Sequence, residues 1–180
     1  MTEAPYELTM SVLMTPVMAN FGGKVHGGAI LKLLDEVAYA CASRYAGHYV
    51  VTLSIDQVVF REPINVGELV SFDAAVNYTG RTSMEIGIRV STQDIHARTS
   101  RHTNSCYFTM VALDDTGRPV PVPPRIPITV LERRRYEAAK HRRQLRAEMQ
   151  QRMDQLRRPP GPPDDLTPTR GGQASRADVQ

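Results

Sequence analysis

Apolar residues recur every three to four positions between residues 30 and 45, which is the spacing of one face of an α-helix. The apolar stripe consists of Ile30, Leu33, Leu34, Val37, Ala38, Cys41 and Tyr45. A glycine-rich loop, Asn20 to Gly28, leads into this helix, and Gly47 follows it. At a helix entrance, glycines leave backbone N–H groups bare and let a ligand approach closely. The pattern therefore predicts a buried helix whose N-terminal end is open to a ligand.

The rest of the first two thirds of the chain shows the alternation of apolar and polar residues that is typical of β-strands. One strand is predicted before the helix and four after it, over residues 8–14, 49–60, 69–78, 83–92 and about 99–113. One strand, a long helix and four meandering strands predict an α+β fold in which an antiparallel sheet wraps around a single helix. Because such a sheet leaves edge strands uncovered, we expect at least a dimer with sheets joined edge to edge.

The last third of the chain differs in composition. Residues 120–127 form a proline-rich connector, and residues 129–157 predict a helix that is polar nearly all round. Residues 158–180 are dominated by Pro, Gly, Asp, Thr and Gln, so we expect them to be disordered. We therefore divide the chain into a single domain over residues 1–128, a basic helical extension over 129–157 and a tail over 158–180.

Composition and charge exclude several classes of protein. The formal net charge is +3, but residues 131–158 hold ten basic and four acidic residues, so the predicted domain is mildly acidic. Because the domain also lacks clustered aromatic residues for base stacking, we expect no nucleic-acid partner. No apolar run approaches the ~20 residues of a membrane span, and we expect a cytoplasmic protein with no membrane span. Cys41 and Cys106 lie in apolar surroundings and are predicted to be reduced core residues, and the histidines show no zinc spacing, so we expect no metal.

Two adjacent carboxylates, Asp35 and Glu36, lie on the predicted helix. At roughly 100° per residue, Glu36 points to the polar side with Lys32, while Asp35 falls at the margin of the apolar stripe. Aspartate is rarely buried unless it is paired. The position of Asp35 therefore indicates either a functional carboxylate or a residue that simply flanks the stripe.

Five segments of the sequence, in this order, closely resemble the hotdog-fold acyl-CoA thioesterases, in particular the cytosolic or brain-type hydrolases and their single-domain bacterial relatives. The segments are Ala19-Asn20, Val25-His26-Gly27-Gly28, Leu33-Leu34-Asp35-Glu36-Val37-Ala38, Thr82-Ser83-Met84-Glu85-Ile86 and Gly117-Arg118-Pro119-Val120-Pro121-Val122-Pro123. The resemblance covers roughly residues 8 to 143. It implies the hotdog fold and a thioester hydrolase that converts acyl-CoA to a free acid and CoA without a cofactor. It also implies a homo-oligomer, a trimer of dimers by likeness to the relatives.

The resemblance assigns Asp35 the role of the catalytic carboxylate and Asn20 that of an active-site amide. Thioester hydrolysis builds negative charge on the carbonyl oxygen, and the N–H of Gly27 or Gly28, at the positive end of the helix dipole, is suited to stabilise it. Asp35 would either activate a water or attack the carbonyl itself. Asp35 lies ~12 Å beyond Gly27 along the helix, too far for both to act on one carbonyl. We therefore expect a site shared between protomers, with Asn20 and Gly27 from one chain and Asp35 from its partner.

Six further residues are candidates for contacts with the substrate and its CoA phosphates: His26, Arg81, Thr82, Ser83, Arg98 and Arg101. These residues also have an interpretation without a role in binding. Surface arginines at turns are usually solvated, and a histidine beside two glycines often shapes the loop. Asn20 could likewise cap its loop. Two other functions stay open from the sequence: a hotdog module that binds acyl-CoA without cleaving it, and a hotdog dehydratase or hydratase that uses His26.

Overall fold

A computed structural model of the chain describes residues 5–157. Its elements are β1 (Glu7–Leu13), a 3-10 turn (Pro16–Met18), α1 (Gly27–Ala46), β2 (Tyr49–Ile55), β3 (Leu69–Thr79), β4 (Ser83–Asp94), β5 (Thr99–Leu113) and α2 (Val130–Arg157). The five strands form one antiparallel sheet in the order β1-β3-β4-β5-β2. The predicted α+β class, with one sheet around one long helix, is confirmed. The tail predicted to be disordered, residues 158–180, lies outside the described residues.

Strand β2 is the main departure from the predicted topology. It pairs with β5 at the far edge of the sheet, so only β3, β4 and β5 form the expected meander. The strand also ends at Ile55, whereas the apolar run had extended the prediction to Phe60. Residues 56–68 instead form the irregular connection that carries the chain from one edge of the sheet toward the other. Consequently β2 is an edge strand beside α1.

The core lies between α1 and one face of the sheet. All seven residues of the predicted helical stripe are buried, and they pack against alternate residues of the strands such as Phe72, Ile86 and Phe108. Gly47 ends α1 in the left-handed conformation (φ 68°), which glycine adopts without strain. Cys41 and Cys106 are buried and unpaired, and burial raises the pKa of each thiol to about 12. The two thiols are therefore inert core groups, as predicted.

The connector reaches the core at Val122, and the start of α2 is fixed to the outer face of the sheet, opposite α1. Buried Arg125 stacks 3.7 Å from the Tyr6 ring centre, and Tyr6 donates a hydrogen bond to Glu132 (2.8 Å). Arg142 donates to buried Glu85 (2.6 Å). Contacts group the chain into one unit that ends at Arg142 and a second that begins at Arg143. The first unit therefore includes the first turns of α2, because these side chains join them to the sheet.

Candidate active site

The glycine-rich loop before α1 is closed by the side chain of Asn20. The side-chain Oδ1 accepts hydrogen bonds from the backbone N–H groups of Gly22 (2.9 Å) and Lys24 (3.2 Å). The backbone N–H of Asn20 donates to the Lys24 carbonyl (2.7 Å). Gly23 adopts φ 73° to complete the turn. The loop-capping interpretation of Asn20 therefore holds for Oδ1. The Nδ2 group of Asn20 has no partner among the described residues, and it can only donate.

The entrance of α1 is capped by His26. Its Nδ1 accepts a hydrogen bond from the Gly28 N–H (2.9 Å), so that amide is already satisfied within the chain. The Gly27 N–H has no partner within residues 5–157, and the Phe60 ring lies against this glycine. Of the two glycine amides predicted to stabilise an oxyanion, only that of Gly27 is without a hydrogen-bond partner in the described part of the chain. His26 is positioned as a helix cap and not as a base held by a carboxylate.

Asp35 lies on the exposed side of α1, facing β2. Its Oδ1 accepts a hydrogen bond from the Thr52 hydroxyl at 2.6 Å, which is the length of a strong bond to a charged acceptor. The Thr52 oxygen also lies 3.4 Å from the sulfur of Met110. The pair borders an open depression of about 360 Å³ between α1 and β2, lined by Asp35, Glu36, Tyr39, Tyr49, Val50, Val51 and Thr52. Asp35 is thus more exposed in one protomer than its place at the margin of the stripe had predicted.

Thr52 was not predicted from the sequence. A threonine in a segment rich in β-branched residues is ordinary strand composition, so nothing distinguished it. Only the packing of β2 against α1 brings its hydroxyl to Asp35. The position of this strand at the edge of the sheet is the structural reason why the contact exists.

Large apolar side chains of α1, β2 and the following connection are exposed: Leu31, Tyr39, Tyr49, Leu53, Ile55, Val59 and Phe60. Tyr39 and Tyr49 of this set line the same depression as Asp35. One edge of β2 pairs with β5, and its other edge has no strand partner in the described part of the chain. An uncovered, apolar edge strand is typical of a surface that another chain covers.

The predicted phosphate-binding residues fall at two separate places. Arg81, Thr82 and Ser83 form the turn between β3 and β4 and the start of β4. Arg98 and Arg101 lie at the other end of β4, in and after its turn into β5, about 36 Å away along a strand of 12 residues. The two groups cannot bind the same phosphate within one protomer.

Arg101, a predicted CoA-binding residue, is engaged by acidic groups of its own chain. Its guanidinium donates to the carboxylate of buried Glu68 at 2.7 and 2.9 Å and to the Pro63 carbonyl at 2.9 Å, and it pairs with Glu62 at 3.0 Å. The hydrogen bonds from Arg101, with a further one from the Asn65 N–H, lower the pKa of Glu68 to about 2. Arg101 is therefore a structural cation that fixes the 62–68 connection to β5.

Neither a metal site nor a membrane-spanning helix is found in the described residues. No group of three or more His, Cys, Asp or Glu side chains that could hold a metal ion occurs between residues 5 and 157. Within the same residues, neither helix is long and apolar enough to cross a membrane.

Comparison with known proteins agrees with this architecture. The family model of the thioesterase superfamily matches residues 22–98. Protein VdlD of Helicobacter pylori is 51% identical over 140 residues, which cover 78% of this chain and 80% of that protein.

Two solved structures are similar to this chain in both fold and sequence. A hexameric acyl-CoA thioesterase aligns with a TM-score of 0.77 at 36% identity, over 79% of this chain and 92% of its own. The acyl-CoA hydrolase of Staphylococcus aureus, solved with butyryl coenzyme A, coenzyme A and coenzyme A disulfide, aligns with a TM-score of 0.74 at 30% identity, over 87% and 98% of the two chains. Further structures of the Staphylococcus enzyme carry alanine in place of an aspartate, a threonine or an asparagine. These matches confirm the resemblance found in the sequence motifs, and the chain belongs to the thioesterase superfamily, with the hotdog fold.

Proposed function

We propose that this protein is an acyl-CoA thioesterase that hydrolyses acyl-CoA to a free carboxylic acid and CoA, in a homo-oligomer whose active sites are shared between two protomers. The support is the family membership, the acyl-CoA named for the two aligned enzymes, and the pairing of an exposed carboxylate with a hydroxyl beside an apolar edge. Hexamers are known for such relatives, and we propose the same assembly here.

The observation that carries the proposal is the Asp35–Thr52 hydrogen bond, together with its place in the sequence. In the Staphylococcus variants, the replaced asparagine, aspartate and threonine are separated by 15 and 17 residues. Asn20, Asp35 and Thr52 are separated by the same two intervals in this chain. The three positions whose geometry can support hydrolysis are thus spaced as the positions that were altered in the Staphylococcus enzyme.

Each of the three side chains has a distinct role in the proposed reaction. The Thr52 hydroxyl occupies Oδ1 of Asp35 and fixes the orientation of the carboxylate, so that the other oxygen can accept a proton from water or attack the thioester carbon. The Asn20 Nδ2 and the Gly27 N–H can donate to the carbonyl oxygen as it becomes negative, and the dipole of α1 adds to this stabilisation. Collapse of the tetrahedral intermediate breaks the C–S bond, and the CoA thiolate takes up a proton. If water attacked, the free acid is formed directly; if Asp35 attacked, an acyl–aspartyl anhydride is left, which water then hydrolyses to the free acid and the Asp35 carboxylate.

The second protomer enters the proposal because one chain cannot supply all of these groups. Gly27 begins α1 and Asp35 lies ~12 Å further along the same helix. The apolar face around β2 adjoins Asp35, so a second copy that covers this face can bring its own Asn20 and Gly27 to the carboxylate. The same contact would bury the exposed apolar side chains, which favours association.

The direct test measures the release of free thiol from a panel of acyl-CoAs that differ in chain length. We expect wild type to release thiol and Asp35→Ala to lose roughly a hundredfold or more of kcat with the fold intact. Glu36→Ala is the matched control, because Glu36 is the adjacent carboxylate and pairs with Lys32 on the solvent side. Equal losses in the two variants would contradict the assignment of Asp35. Binding of acyl-CoA by wild type without thiol release would favour the non-catalytic module instead.

The shared site is tested by mixing Asn20→Ala and Asp35→Ala proteins under conditions of subunit exchange. Random pairing makes half of the dimers mixed, and each mixed dimer holds one intact site, so about a quarter of the wild-type activity should return. A site contained within one chain predicts no recovery at any mixing ratio. Exchange itself is verified by mass spectrometry of differently tagged chains.

A further inference from the structure

The C-terminal half of α2, residues 143–157, carries an exposed apolar stripe. Its members are Leu145, Met149, Met153 and Leu156, whose exposure lies between 47% for Met153 and 82% for Leu156. At roughly 100° per residue, the four side chains fall within an arc of about 80° on the helix surface. A helix that packs on the core of its own domain shows an arc of about 100° or more, whereas a narrower stripe is typical of a seam between two helices. We call these four residues the α2 seam.

Charged residues border the α2 seam on both sides. Glu148 and Arg152 lie at one margin, and Arg146 and Arg157 lie at the other. A bilayer of anionic lipid would attract the arginines but repel Glu148, and the seam contains none of the aromatic residues that anchor helices in a membrane interface. The presence of both charges beside the apolar stripe therefore favours a protein partner over a lipid surface.

The α2 seam has nearly the same order of residues in both chain directions. The centre of the pair Leu145 and Leu156 falls between residues 150 and 151, and the centre of the pair Met149 and Met153 falls at residue 151. When two copies of the helix lie antiparallel about this point, Leu145 faces the partner's Leu156, and Met149 faces the partner's Met153. A contact about a two-fold axis needs this self-complementarity, because every contact between two different residues occurs twice.

The same antiparallel arrangement pairs the charges at one margin. Glu148 and Arg152 are centred on residue 150, so each Glu148 comes beside the partner's Arg152 and two ion pairs form across the axis. Arg152 has no hydrogen bond or ion pair with any residue that the structure describes. At the other margin Arg146 comes near the partner's Arg157, which opposes the contact. A parallel pair would place Arg152 beside the partner's Arg157 and gain no ion pair, so the charges favour the antiparallel direction.

We propose that the α2 seam is an interface between two copies of this chain, paired antiparallel through residues 143–157. This segment spans about 22 Å, which is about two heptads and too short to pair strongly alone. The contact therefore adds to an assembly whose copies are already held together, where the effective concentration of the second helix is high. The inference rests on the homo-oligomer proposed above but not on thioester hydrolysis, and it assigns the basic helical extension a role in joining protomers.

The test is disulfide cross-linking of the full chain under mild oxidation. Wild type is a suitable background, because Cys41 and Cys106 are buried and burial raises the pKa of each thiol to about 12. We expect Leu145→Cys and Leu156→Cys chains to form a disulfide-linked dimer when they are oxidised together after subunit exchange. Each variant oxidised alone should give at least tenfold less, because the substituted position then lies about 16 Å along the helix from its own counterpart.

Two sets of variants control the experiment. Gln144→Cys mixed with Gln155→Cys should give no dimer, because these neighbouring positions lie on the opposite side of the helix. In the cross-linking background, Glu148→Arg should lower the yield roughly fivefold or more, since it faces the partner's Arg152, and so should Arg152→Glu. Combining the two reversals in one chain should restore the yield. Arg157→Glu should raise it, because an acid would then face the partner's Arg146.

Three outcomes would overturn the proposal. The first is a mixed dimer no more abundant than that of the glutamine control pair, and binding of the wild-type chain to phosphatidylglycerol vesicles would then identify a lipid surface as the partner. The second is a cross-link in each single variant equal to that in the mixture, which would indicate parallel pairing. The third is a yield unchanged by every charge reversal. Sedimentation of wild type shows whether copies associate at all, so a failure of the proposed oligomer is distinguished from a failure of the α2 contact. All substituted side chains are exposed, so folding should be preserved, which circular dichroism checks.

Discussion

The contact between Arg101 and Glu68 gives a prediction whose size follows from the structure. The Glu68 side chain is 7% exposed, and Arg101 donates to both of its oxygens. The arginine is the largest cause of the lowering of the Glu68 pKa from 4.5 to about 2, and a pKa lowered by this amount corresponds to about 3 kcal/mol at neutral pH. Arg101→Met should therefore destabilise the fold by about 3 kcal/mol, since it leaves a buried carboxylate without its cation.

The assay is urea unfolding of wild type, Arg101→Met, Glu68→Gln and the double variant at one fixed protomer concentration. The double variant should lose less than the sum of the single losses, because no charge is then left unpaired. The sign of the pH dependence follows from the depressed pKa: the stabilisation is complete above about pH 5 and is lost as the pH falls toward 2. At pH 3 the difference between wild type and Arg101→Met should shrink to roughly half its neutral value.

The competing interpretation predicts a different pattern. If Arg101 bound the phosphates of CoA, Arg101→Met would unfold like wild type and would raise KM for acyl-CoA. That result would refute the structural assignment. Arg98→Met is the control, because Arg98 lies in the adjacent turn and is exposed. It should change the stability by less than about 0.5 kcal/mol.

Three further predictions concern single side chains. Thr52→Val should lower kcat by roughly ten- to a hundredfold with little change in KM, because Asp35 loses its orienting bond; an unchanged kcat in steady-state assays would contradict this role. Gly87→Ala should destabilise the fold by about 1–3 kcal/mol in urea unfolding, because its Cβ would lie 2.3 Å from the Asn77 amide, and Asn77→Ala in the same chain should recover part of the loss. His26→Ala should cost about 1 kcal/mol of stability through the lost cap and retain most of kcat, while His26→Asn keeps the cap; a collapse of kcat in both variants would show that the ring takes part in the chemistry.

The fold was predictable wherever one pattern governed a whole element. The alternation in residues 99–113 gave the bounds of β5 as they are observed, and the apolar stripe gave the buried face of α1. The prediction was wrong where apolar composition continued past the end of an element. Val58, Val59 and Phe60 continue the β-like composition of β2, but the chain turns away from the sheet after Ile55. The pairing of β2 with β5 depends on contacts between distant residues, which local periodicity does not contain.

The candidate site was likewise predictable where a local motif marks it and unpredictable where it depends on tertiary contacts. The motifs around Asn20, Gly27 and Asp35 marked a helix entrance and a carboxylate, and the structure adds which of their atoms remain unsatisfied. Thr52 was missed because its role depends on tertiary packing. The contacts of Arg101 could not be predicted, because an arginine near a turn does not reveal that a buried glutamate lies on the neighbouring segment.

The buried salt bridge between Glu85 and Arg142 limits how far the protein can be shortened. A version cut at residue 128, where the proline-rich connector ends, would lose the arginine and keep its acidic counterpart in a place that is 2% exposed. Solubility and yield of such a fragment should suffer for electrostatic reasons, even though every strand is retained. Truncated versions for crystallisation should therefore keep residue 142, and affinity tags belong beyond it.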